Sequence, residues 1–417
     1  MKVIDMIDEK NKDSWCVNAF HSMSANNDGS TKMCCMIDAS YNKLTNSSDF
    51  SIGKRSIKDN FNNIAAKKIR ENLKNGIRDK SCSLCWQEED SNRKSKRLRD
   101  NEKYLHGIQW NKDNEYNGIA KFELNLGNTC NIKCRTCGPA ISSQWLKEEY
   151  DLKHKNNISF KEYSDQMKKY HQNYDDDSPF WIDIIDNLPT IRQFDFYGGE
   201  PFLSKKMWEV LKICVDNGYS KQIELHYATN GTTWPDEIEL WKNFKSVNLS
   251  FSIDGFDDKF EYMRYLANWE TVKQNMEKAL LFNEEYKILN ISWCVTLSSL
   301  NIYYLPEILD VYYSEYNNKF GIYLNLVHGP DHFNISLMHP IVKKSVIEKL
   351  EKINPSYTQV WYQLPGIIGF IRNGNFDKRI WESFITKIKT HDMYRDQDFF
   401  TIFKEFGEII NAASVLE

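Results

Sequence analysis

The sequence has almost no net charge and no long apolar run. Its 54 Lys and Arg nearly balance 58 Asp and Glu, so no global basic field argues for nucleic-acid binding. No stretch approaches the roughly 20 apolar residues that span a bilayer. The first residues, MKVIDMIDEKNKD, lack the apolar run of a signal peptide. We therefore expect a cytoplasmic protein without a membrane partner, whose ten cysteines are reduced and free to bind metal.

The chain is nevertheless long and apolar enough to fold into more than one unit. Its 417 residues allow two or three domains. A hydrophobic content of 41%, with 14% aromatic residues, is sufficient for substantial cores and excludes a largely disordered chain.

The most informative stretch is Lys121 to Pro139, KFELNLGNTCNIKCRTCGP, which contains Cys130, Cys134 and Cys137. Apolar residues alternate before them, as in a strand, and Gly127 and Asn128 end that strand, which places the thiols on a loop. No fourth cysteine or histidine lies in the run. Three thiolates suit an iron–sulfur cluster with one iron left open for a substrate or cofactor. The alternatives are half of a zinc site or three buried cysteines.

A second group of cysteines lies nearer the N-terminus. Cys16 precedes a turn at Asn26 to Gly29, Cys34 and Cys35 follow it, and Cys82 and Cys85 form a Cys-x-x-Cys pair. Two short strands around Asn-Asp-Gly predict a hairpin that brings Cys16 near Cys34 or Cys35. Such a set in a reducing compartment predicts a closed tetrahedral metal site. From the residue types alone, zinc and an iron–sulfur cluster both remain open.

From about residue 119, predicted strands and helices alternate, which indicates parallel β–α units with functional residues at the carboxyl ends of the strands. Glycines and polar residues follow three of these strands: Gly198, Gly199 and Glu200 in YGGEP, then Asn230, then Ser252 and Asp254. The two glycines allow a backbone to approach a ligand closely. The Glu200 carboxylate could pair with an ammonium group.

The cysteine spacing and the GGEP segment resemble the radical S-adenosylmethionine (SAM) superfamily. The resemblance implies a [4Fe-4S] cluster whose open iron is chelated by the amine and carboxylate of SAM. It also implies reductive cleavage to a 5′-deoxyadenosyl radical that abstracts a substrate hydrogen, with electrons from a flavodoxin- or ferredoxin-type donor. One departure is Thr136, where the family usually has an aromatic residue before the third cysteine.

The same resemblance assigns roles to residues at the strand ends. Gly198, Gly199 and Glu200 would bind the SAM amino group, and Arg264, in EYMRY, would contact its carboxylate. The remaining members of this set would face SAM and its ribose: Asn230, Ser252 and Asp254.

The N-terminal cysteines resemble the auxiliary-cluster modules called twitch or SPASM domains, which hold an additional [4Fe-4S] cluster. The spacing from Gly29 selects Cys34 as the ligand and leaves Cys35 as its neighbour. The implied ligands are Cys16, Cys34, Cys82 and Cys85. The module differs from its relatives in position, because it precedes the core.

Other segments are less specific. Cys214 and Cys294 are expected to be buried small hydrophobes. The basic stretch Ser91 to Arg99 predicts a solvated helical face, the alternative being a contact for an acidic substrate or redox partner. The segment HGPDHFN, with His328, Asp331 and His332, predicts an ordinary loop, although His328 is a weak catalytic candidate that could orient substrate or shuttle a proton. Amphipathic helices are expected from Asn60 to Leu73, with Ile64 on the apolar side, from Val342 to Ile353 and from Phe384 to Ile410.

These observations predict an α/β protein of three units: an auxiliary module over residues 1–115, a partial (β/α)6 TIM-like barrel over 116–335, and a helical C-terminal extension over 336–417. The expected function is a radical SAM enzyme. The resemblance to this family favours a peptide as substrate over a small metabolite such as a sugar or nucleotide. The alternative of another class is a non-catalytic iron–sulfur or zinc protein.

Overall fold

A computed structural model describes residues 7–38, 49–90, 94–104, 116, 118–327 and 329–415. It shows an α/β fold around one eight-stranded sheet with the order β2-β1-β3-β4-β5-β6-β7-β8. All neighbouring strands are parallel except the β1–β2 pair. The strands are β1 Ser22–Ala25, β2 Thr31–Lys32, β3 Lys121–Asn125, β4 Gln193–Tyr197, β5 Glu224–Thr229, β6 Ser246–Ser252, β7 Leu289–Leu297 and β8 Gly321–Leu326.

The register of the sheet separates an apolar face from a polar face. Phe122 pairs with Phe194 and Leu124 with Phe196, and these rings and chains lie in the buried core. The residues between them point to the opposite side, because successive side chains of a strand alternate. There Glu123 lies beside Asp195, and Asp195 beside His226. This second side is called the polar face below.

Helices follow nearly every strand, and the last six form the C-terminal extension. The α-helices are α1 Asn18–His21, α2 Ile57–Phe61, α3 Ile64–Lys74, α4 Ser83–Asp90, α5 Lys96–Tyr104, α6 Trp145–Glu149, α7 Phe160–Met167, α8 Pro179–Asn187, α9 Lys205–Asp216, α10 Asp257–Met263, α11 Trp269–Tyr286, α12 Leu305–Val311, α13 Pro340–Leu350, α14 Thr358–Trp361, α15 Leu364–Asn373, α16 Lys378–Arg395, α17 Phe399–Ile402 and α18 Lys404–Val415.

Short 3-10 and π-helical turns complete the regular structure. The 3-10 turns are Lys80–Cys82, Lys168–Tyr170, Gln172–Tyr174, Pro201–Leu203, Ser220–Gln222, Asp236–Asn243, Ile302–Tyr304, Asp331–Phe333 and Ile335–Leu337. The π-helical turns are Tyr150–His154 and Tyr312–Tyr316.

The six predicted parallel strands are present as β3 to β8, and the predicted N-terminal hairpin is present as β1 and β2. Gly29, at the hairpin turn, has a φ of 78°, which glycine adopts without strain. The hairpin does not form a sheet of its own. β1 pairs in parallel with β3 from Ser22–Lys121 to Ala25–Leu124, so the N-terminal residues extend the same sheet as the predicted core.

Two predicted helices are wrong in their extent. The helix expected over residues 60–73 is two helices, because Asn63 caps a new one by accepting a hydrogen bond from the Ala66 N–H. Ile64, expected on the buried side, is 72% exposed. The single helix expected from Phe384 to Ile410 is three, α16 to α18. α16 ends at Asp396, which has a left-handed φ of 51° that stops a helix.

Within the described residues, no helix is both long enough and apolar enough to cross a bilayer.

Candidate functional site

The three clustered cysteines lie on a loop at the carboxyl end of β3, as predicted. This segment, residues 127–139, is called the cysteine loop below. Gly127 starts it with a φ of 77°, which turns the chain sharply. The backbone N–H groups of Lys133 and Arg135 donate to the carbonyl oxygens of Tyr265 and Met263 at 3.0 and 2.8 Å. The middle of the loop is therefore fixed against the segment that follows α10.

The three thiols are close enough to affect one another's ionisation. The Cys137 thiol donates a hydrogen bond to Cys134, and this bond, together with the charge of Arg264, lowers the pKa of Cys134. The same bond raises the pKa of Cys137. Burial raises the pKa of Cys130 to about 11, and the charge of Cys134 adds to this effect. Three thiols that interact with one another on one loop suit a single metal centre as ligands.

The glycines of the GGEP segment pack directly on the cysteine loop. A Cβ atom on Gly199 would lie 2.0 Å from the carbonyl oxygen of Thr129, and one on Gly198 would lie 2.6 Å from the Leu126 nitrogen. The Gly199 N–H donates to the Gly127 oxygen at 3.0 Å, and the Glu200 N–H donates to the Thr129 oxygen at 2.8 Å. The predicted close approach is thus between two protein loops, whereas the sequence suggested approach to a ligand.

Glu200 is 3% exposed and its carboxylate accepts three hydrogen bonds. The Thr229 hydroxyl and the Asn230 N–H donate at 2.8 Å, and the Phe202 N–H donates at 3.3 Å. Burial raises the pKa of Glu200 to about 7 against the opposing effect of these bonds. Among the residues that the structure describes, it forms no ion pair with Lys, Arg or His. A buried carboxylate in this state favours a cationic partner.

Asn230 and Arg264 both contact the cysteine loop. The Asn230 side-chain amide donates to Asn131 at 3.0 Å and lies 3.9 Å from the Cys130 sulfur. Arg264 has one Nη 3.7 Å from the Cys134 sulfur and the other 2.7 Å from the Asp254 carboxylate. Its buried Nε has no hydrogen-bond partner in the described structure. Both residues therefore lie within reach of whatever the loop binds.

The other two predicted strand-end residues follow β6. Asp254 also accepts a hydrogen bond from the Thr296 N–H at 2.9 Å, so its carboxylate is already engaged on both oxygens. Ser252, the last residue of β6, is partly exposed and pairs with Cys294 across the sheet. Asp254 is thus better placed to orient Arg264 than to bind a further ligand.

The four predicted N-terminal ligands line one pocket. Its empty volume is about 430 Å³, part of it open to solvent, and its walls are otherwise mainly apolar, from residues such as Met33, Ile69 and Leu73. The pocket contains Cys16, Cys34, Cys82 and Cys85. Burial raises the pKa of Cys16 to about 12, and the charge of Cys85 contributes to this shift. Residues up to 69 positions apart in sequence thus converge as the spacing predicted.

Cys35 lies beside this pocket and does not line it. It is exposed, its backbone N–H donates to the Glu123 carboxylate at 2.8 Å, and its thiol donates a hydrogen bond to the Cys34 sulfur. The sulfurs of Cys34 and Cys35 and a Glu123 oxygen lie within 4.8 Å of one another. Cys34 therefore lies between the pocket and Glu123, whereas Cys35 lies beside Glu123 outside the pocket lining.

A buried group of charges on the polar face was not predicted from the sequence. The Lys96 ammonium lies 2.8 Å from Glu123, and that of Lys121 lies 3.4 Å from both Glu123 and Asp195. His226 lies 4.0 Å from Asp195. The signal was present in the strands KFELN, QFDFY and ELHYAT, where a charged residue or histidine occupies the alternate position between apolar ones.

The basic stretch is only partly the solvated face that was expected. Ser91 to Arg93 lie outside the described residues, and Lys94 and Arg99 are exposed. Arg97 is buried, donates two hydrogen bonds to Glu89, and lines the N-terminal cysteine pocket. Lys96 is mostly buried against Glu123. The sequence of a charged stretch does not show which of its residues are buried in ion pairs.

Of the weaker candidates, the described residues Asp331 and His332 make no contact with the cysteine loop. His328 lies outside the described residues, and Asp331 is exposed. Burial lowers the pKa of His332 to about 4, and the cations nearest to it include Lys387 and Lys153. Cys214 is fully buried in α9, as predicted. Cys294 is also buried, but it faces the polar side, where its thiol contacts Thr296 at 3.9 Å and accepts a hydrogen bond from the Tyr323 hydroxyl.

A family comparison identifies the core of this site. Residues 124–287 match the family described as the radical SAM superfamily, so the chain contains a radical SAM superfamily domain. This confirms the prediction of an enzyme. The family implies a [4Fe-4S] cluster and SAM. Three coupled thiols and an unpaired buried carboxylate fit these groups in donor chemistry. A search of curated proteins finds no match.

Solved structures similar to this chain include radical SAM enzymes at low similarity. anSMEcpe with bound AdoMet and Cp18Cys peptide is 15% identical over 56% of this chain and 58% of its own, with a TM-score of 0.35. Streptococcus suis SuiB bound to S-adenosylmethionine is 13% identical over 74% and 58%, with a TM-score of 0.34. SuiB bound to precursor peptide SuiA is 11% identical over 86% and 68%, at 0.31. The chain thus spans less than two thirds of the length of anSMEcpe.

Proposed function

We propose that this protein, which contains a radical SAM superfamily domain, cleaves SAM reductively at a cluster held by Cys130, Cys134 and Cys137. The observation that supports this most strongly is the junction of the cysteine loop with the GGEP segment. It brings three coupled thiols and the buried Glu200 carboxylate to the ends of neighbouring strands. A three-thiolate cluster with SAM on its open iron supplies a radical that abstracts hydrogen.

Glu200 is the proposed partner of the SAM amino group. It already accepts hydrogen bonds from Thr229, Asn230 and Phe202, which fix its orientation. Charge-assisted bonds of this kind are stronger than neutral ones. Arg264 is the proposed contact for the SAM carboxylate, because it has a buried unpaired Nε beside the cysteine loop and is oriented by Asp254. Asn230 and Ser252 complete the proposed wall of the SAM site.

The N-terminal residues are proposed to hold a second, auxiliary [4Fe-4S] cluster. The support is the convergence of Cys16, Cys34, Cys82 and Cys85 on one pocket with largely apolar walls. Four thiolates leave no iron open, so this cluster would transfer electrons or stabilise the fold. Zinc is the alternative occupant, since Cys₄ sites with a Cys-x-x-Cys half are common for it. The module, residues 1–115, is proposed to act together with the core, because β1 belongs to the same sheet as β3.

The proposed substrate is a peptide that reaches the polar face of the sheet. The peptide class follows from the sequence resemblance to twitch-containing enzymes. The polar face offers groups suited to peptide amides and charged side chains, namely Asn125, Tyr197 and His226 in addition to the ion pairs of Glu123 and Asp195. The proposed electron donor is a flavodoxin or ferredoxin, and the proposed location is the cytoplasm.

The decisive experiment is anaerobic incubation of the reconstituted protein with SAM and dithionite, followed by detection of 5′-deoxyadenosine. We expect time-dependent formation in the full-length protein and none in Cys134→Ala. A second incubation should use deuterium oxide. Deuterium in the 5′-deoxyadenosine would indicate that the abstracted hydrogen came from a position that exchanges with solvent. Absence of 5′-deoxyadenosine from a preparation with a complete cysteine-loop cluster would refute the activity and favour a non-catalytic metal protein.

A further inference from the structure

The C-terminal extension meets the cysteine loop through a buried ionic network. Its centre is Glu148, whose side chain is completely buried in α6. Three side chains surround this carboxylate: the cations Lys133, from the cysteine loop, and Arg395 at 2.8 and 3.0 Å, and His391, whose pKa is lowered by burial, at 2.6 Å. His391 and Arg395 lie one turn apart at the C-terminal end of α16. The network therefore joins α16 to the part of the cysteine loop between the first and second thiols, about 260 positions earlier in the sequence.

Arg395 holds the backbone before Cys134 directly and the Cys134 carbonyl through the Trp145 ring. One Nη donates to the carbonyl oxygen of Lys133, the residue before the cysteine, at 3.3 Å. The guanidinium also lies over the Trp145 ring at 4.5 Å, and the Trp145 indole N–H donates to the Cys134 carbonyl oxygen at 3.1 Å. Two successive carbonyl groups of the loop are thus held, directly or through one ring, by a single side chain.

A second tether begins at the residue after Cys134. Arg135 is buried and donates to the Asp392 carboxylate at 2.5 Å and to Gln397 at 2.9 Å. Asp392 also accepts from the Tyr262 hydroxyl and the Phe399 N–H, both at 2.8 Å. The carboxylate is therefore itself fixed by α10 and α17, so that Arg135 has a rigid partner.

Positive charges outnumber negative charges around Cys134, the proposed cluster ligand in the middle of the cysteine loop. Four cationic side chains, Lys133, Arg135, Arg264 and Arg395, surround the middle of the loop, against three carboxylates: Glu148, Asp254 and Asp392. Arg395 in addition has one buried Nη without a hydrogen-bond partner in the described structure. Excess positive charge of this kind favours the more negative state of a nearby redox centre.

We infer that the last turn of α16, with Arg395 and Asp392 as positioning residues, holds Cys134 in place for the cluster and raises the cluster's reduction potential. This inference rests on the proposed function, because it assumes a cluster on the cysteine loop. The inference gives the C-terminal extension a role in the redox centre. Its sequence does not suggest this role, because the extension lies more than 240 positions after the residues that it contacts. Neither residue contacts a reacting atom in this scheme.

The test compares Arg395→Gln, Arg395→Lys and Asp392→Asn with Arg379→Gln in the reconstituted full chain. Arg379 lies in the first turn of the same helix, and its side chain is 89% exposed, so it is a matched control. Iron release to a chelator is followed together with alkylation of each cysteine, mapped by mass spectrometry. The midpoint potential of the SAM-sensitive cluster is measured by electron paramagnetic resonance.

We expect Arg395→Gln to speed alkylation of Cys134 roughly tenfold, since local opening of the loop becomes easier. Cys16 and Cys82 should react at the wild-type rate. The midpoint potential should become more negative in Arg395→Gln and remain unchanged in Arg395→Lys, which retains the charge but not the forked contact with Glu148. Asp392→Asn should speed alkylation through loss of the second tether and provides the test if Arg395→Gln does not fold.

Equal release rates and potentials in Arg395→Gln and Arg379→Gln would overturn the inference. So would faster alkylation of all cysteines alike, because that indicates general destabilisation. A wild-type protein that binds iron at the loop and forms no 5′-deoxyadenosine would refute the proposed function alone. The comparison of release rates remains valid in that case.

Discussion

Gly199 and Thr129 approach each other so closely that a Cβ atom on the glycine would lie 2.0 Å from the threonine carbonyl oxygen. The contact joins the GGEP segment after β4 to the cysteine loop after β3, next to the hydrogen bond from the Glu200 N–H to the same oxygen at 2.8 Å. The position of Glu200 relative to Cys130 therefore depends on the absence of a side chain at residue 199.

Gly199→Ala should displace the cysteine loop and lower its iron content. Overpacking against backbone costs about 1–3 kcal/mol, and the backbone here cannot move without breaking the Glu200 hydrogen bond. Thermal unfolding and iron analysis after reconstitution check this. Gly138→Ala is the matched control, since no atom lies within 4 Å of a Cβ there, although the residue follows Cys137 directly. Equal iron content in the two variants would contradict the prediction.

SAM affinity should depend on the ionisation of Glu200. Its pKa is raised by burial to about 7 from a usual value of 4.5, so the carboxylate is charged only above neutral pH. At pH 8, Glu200→Gln should bind SAM about tenfold more weakly, since a charge-assisted hydrogen bond contributes about 1.5–3 kcal/mol. At pH 5.5 the difference should nearly vanish, because the wild-type carboxyl is neutral there. Anaerobic binding measurements on cluster-loaded protein test this, and a pH-independent ratio of affinities would argue against the role.

The same shift predicts the pH dependence of stability without SAM. A carboxyl whose folded pKa is raised contributes its full stability below pH 4.5 and loses it as the pH rises through about 7. Between these limits, Glu200→Gln should gain stability relative to the wild type, by up to roughly 3 kcal/mol. Denaturant unfolding at pH 5 and pH 8 measures the difference. If the difference in unfolding free energy between Glu200→Gln and the wild type is the same at pH 5 and pH 8, folding does not bury Glu200 in its charged form.

Cys134→Ala should abolish SAM cleavage and leave the iron of the N-terminal pocket in place. Cys134 lies between Lys133 and Arg135, at the centre of the coupled thiols, so no neighbouring donor can replace it. 5′-deoxyadenosine formation and iron per chain are the measurements. Cys214→Ala, a buried cysteine in α9, controls for loss of a thiol from the core. Full cleavage activity in Cys134→Ala would exclude the ligand assignment.

Cys34 and Cys35 should differ in their effect on iron content. Cys34 lines the pocket with Cys16, Cys82 and Cys85, while Cys35 is exposed beside Glu123. Two clusters of four irons give about eight irons per chain, and Cys34→Ala should retain about four. Cys35→Ala should retain about eight. About four irons and one zinc in the wild type would refute the auxiliary cluster and leave the cysteine-loop site unaffected.

Local sequence determined the cysteine loop, the GGEP segment and the parallel strands. Each depends on residues within about ten positions of one another, where alternation, glycine and thiol spacing act directly on the backbone. The six strands β3 to β8 and the cysteine loop at the end of β3 are found where the sequence indicated them. Cys16, Cys34, Cys82 and Cys85, the set that the resemblance to twitch or SPASM modules implied, line one pocket.

Only the tertiary structure determined which charged side chains are buried and paired with one another. Glu123, Asp195 and His226 meet because three strands share one register, and Glu148 meets Arg395 because α16 packs on the cysteine loop. Such pairs depend on the position of each residue relative to distant segments, and a charged residue has the same local sequence pattern whether it is solvated or paired. The sequence therefore determined the thiols of the candidate site, while the fold determined the arginines and carboxylates that hold them.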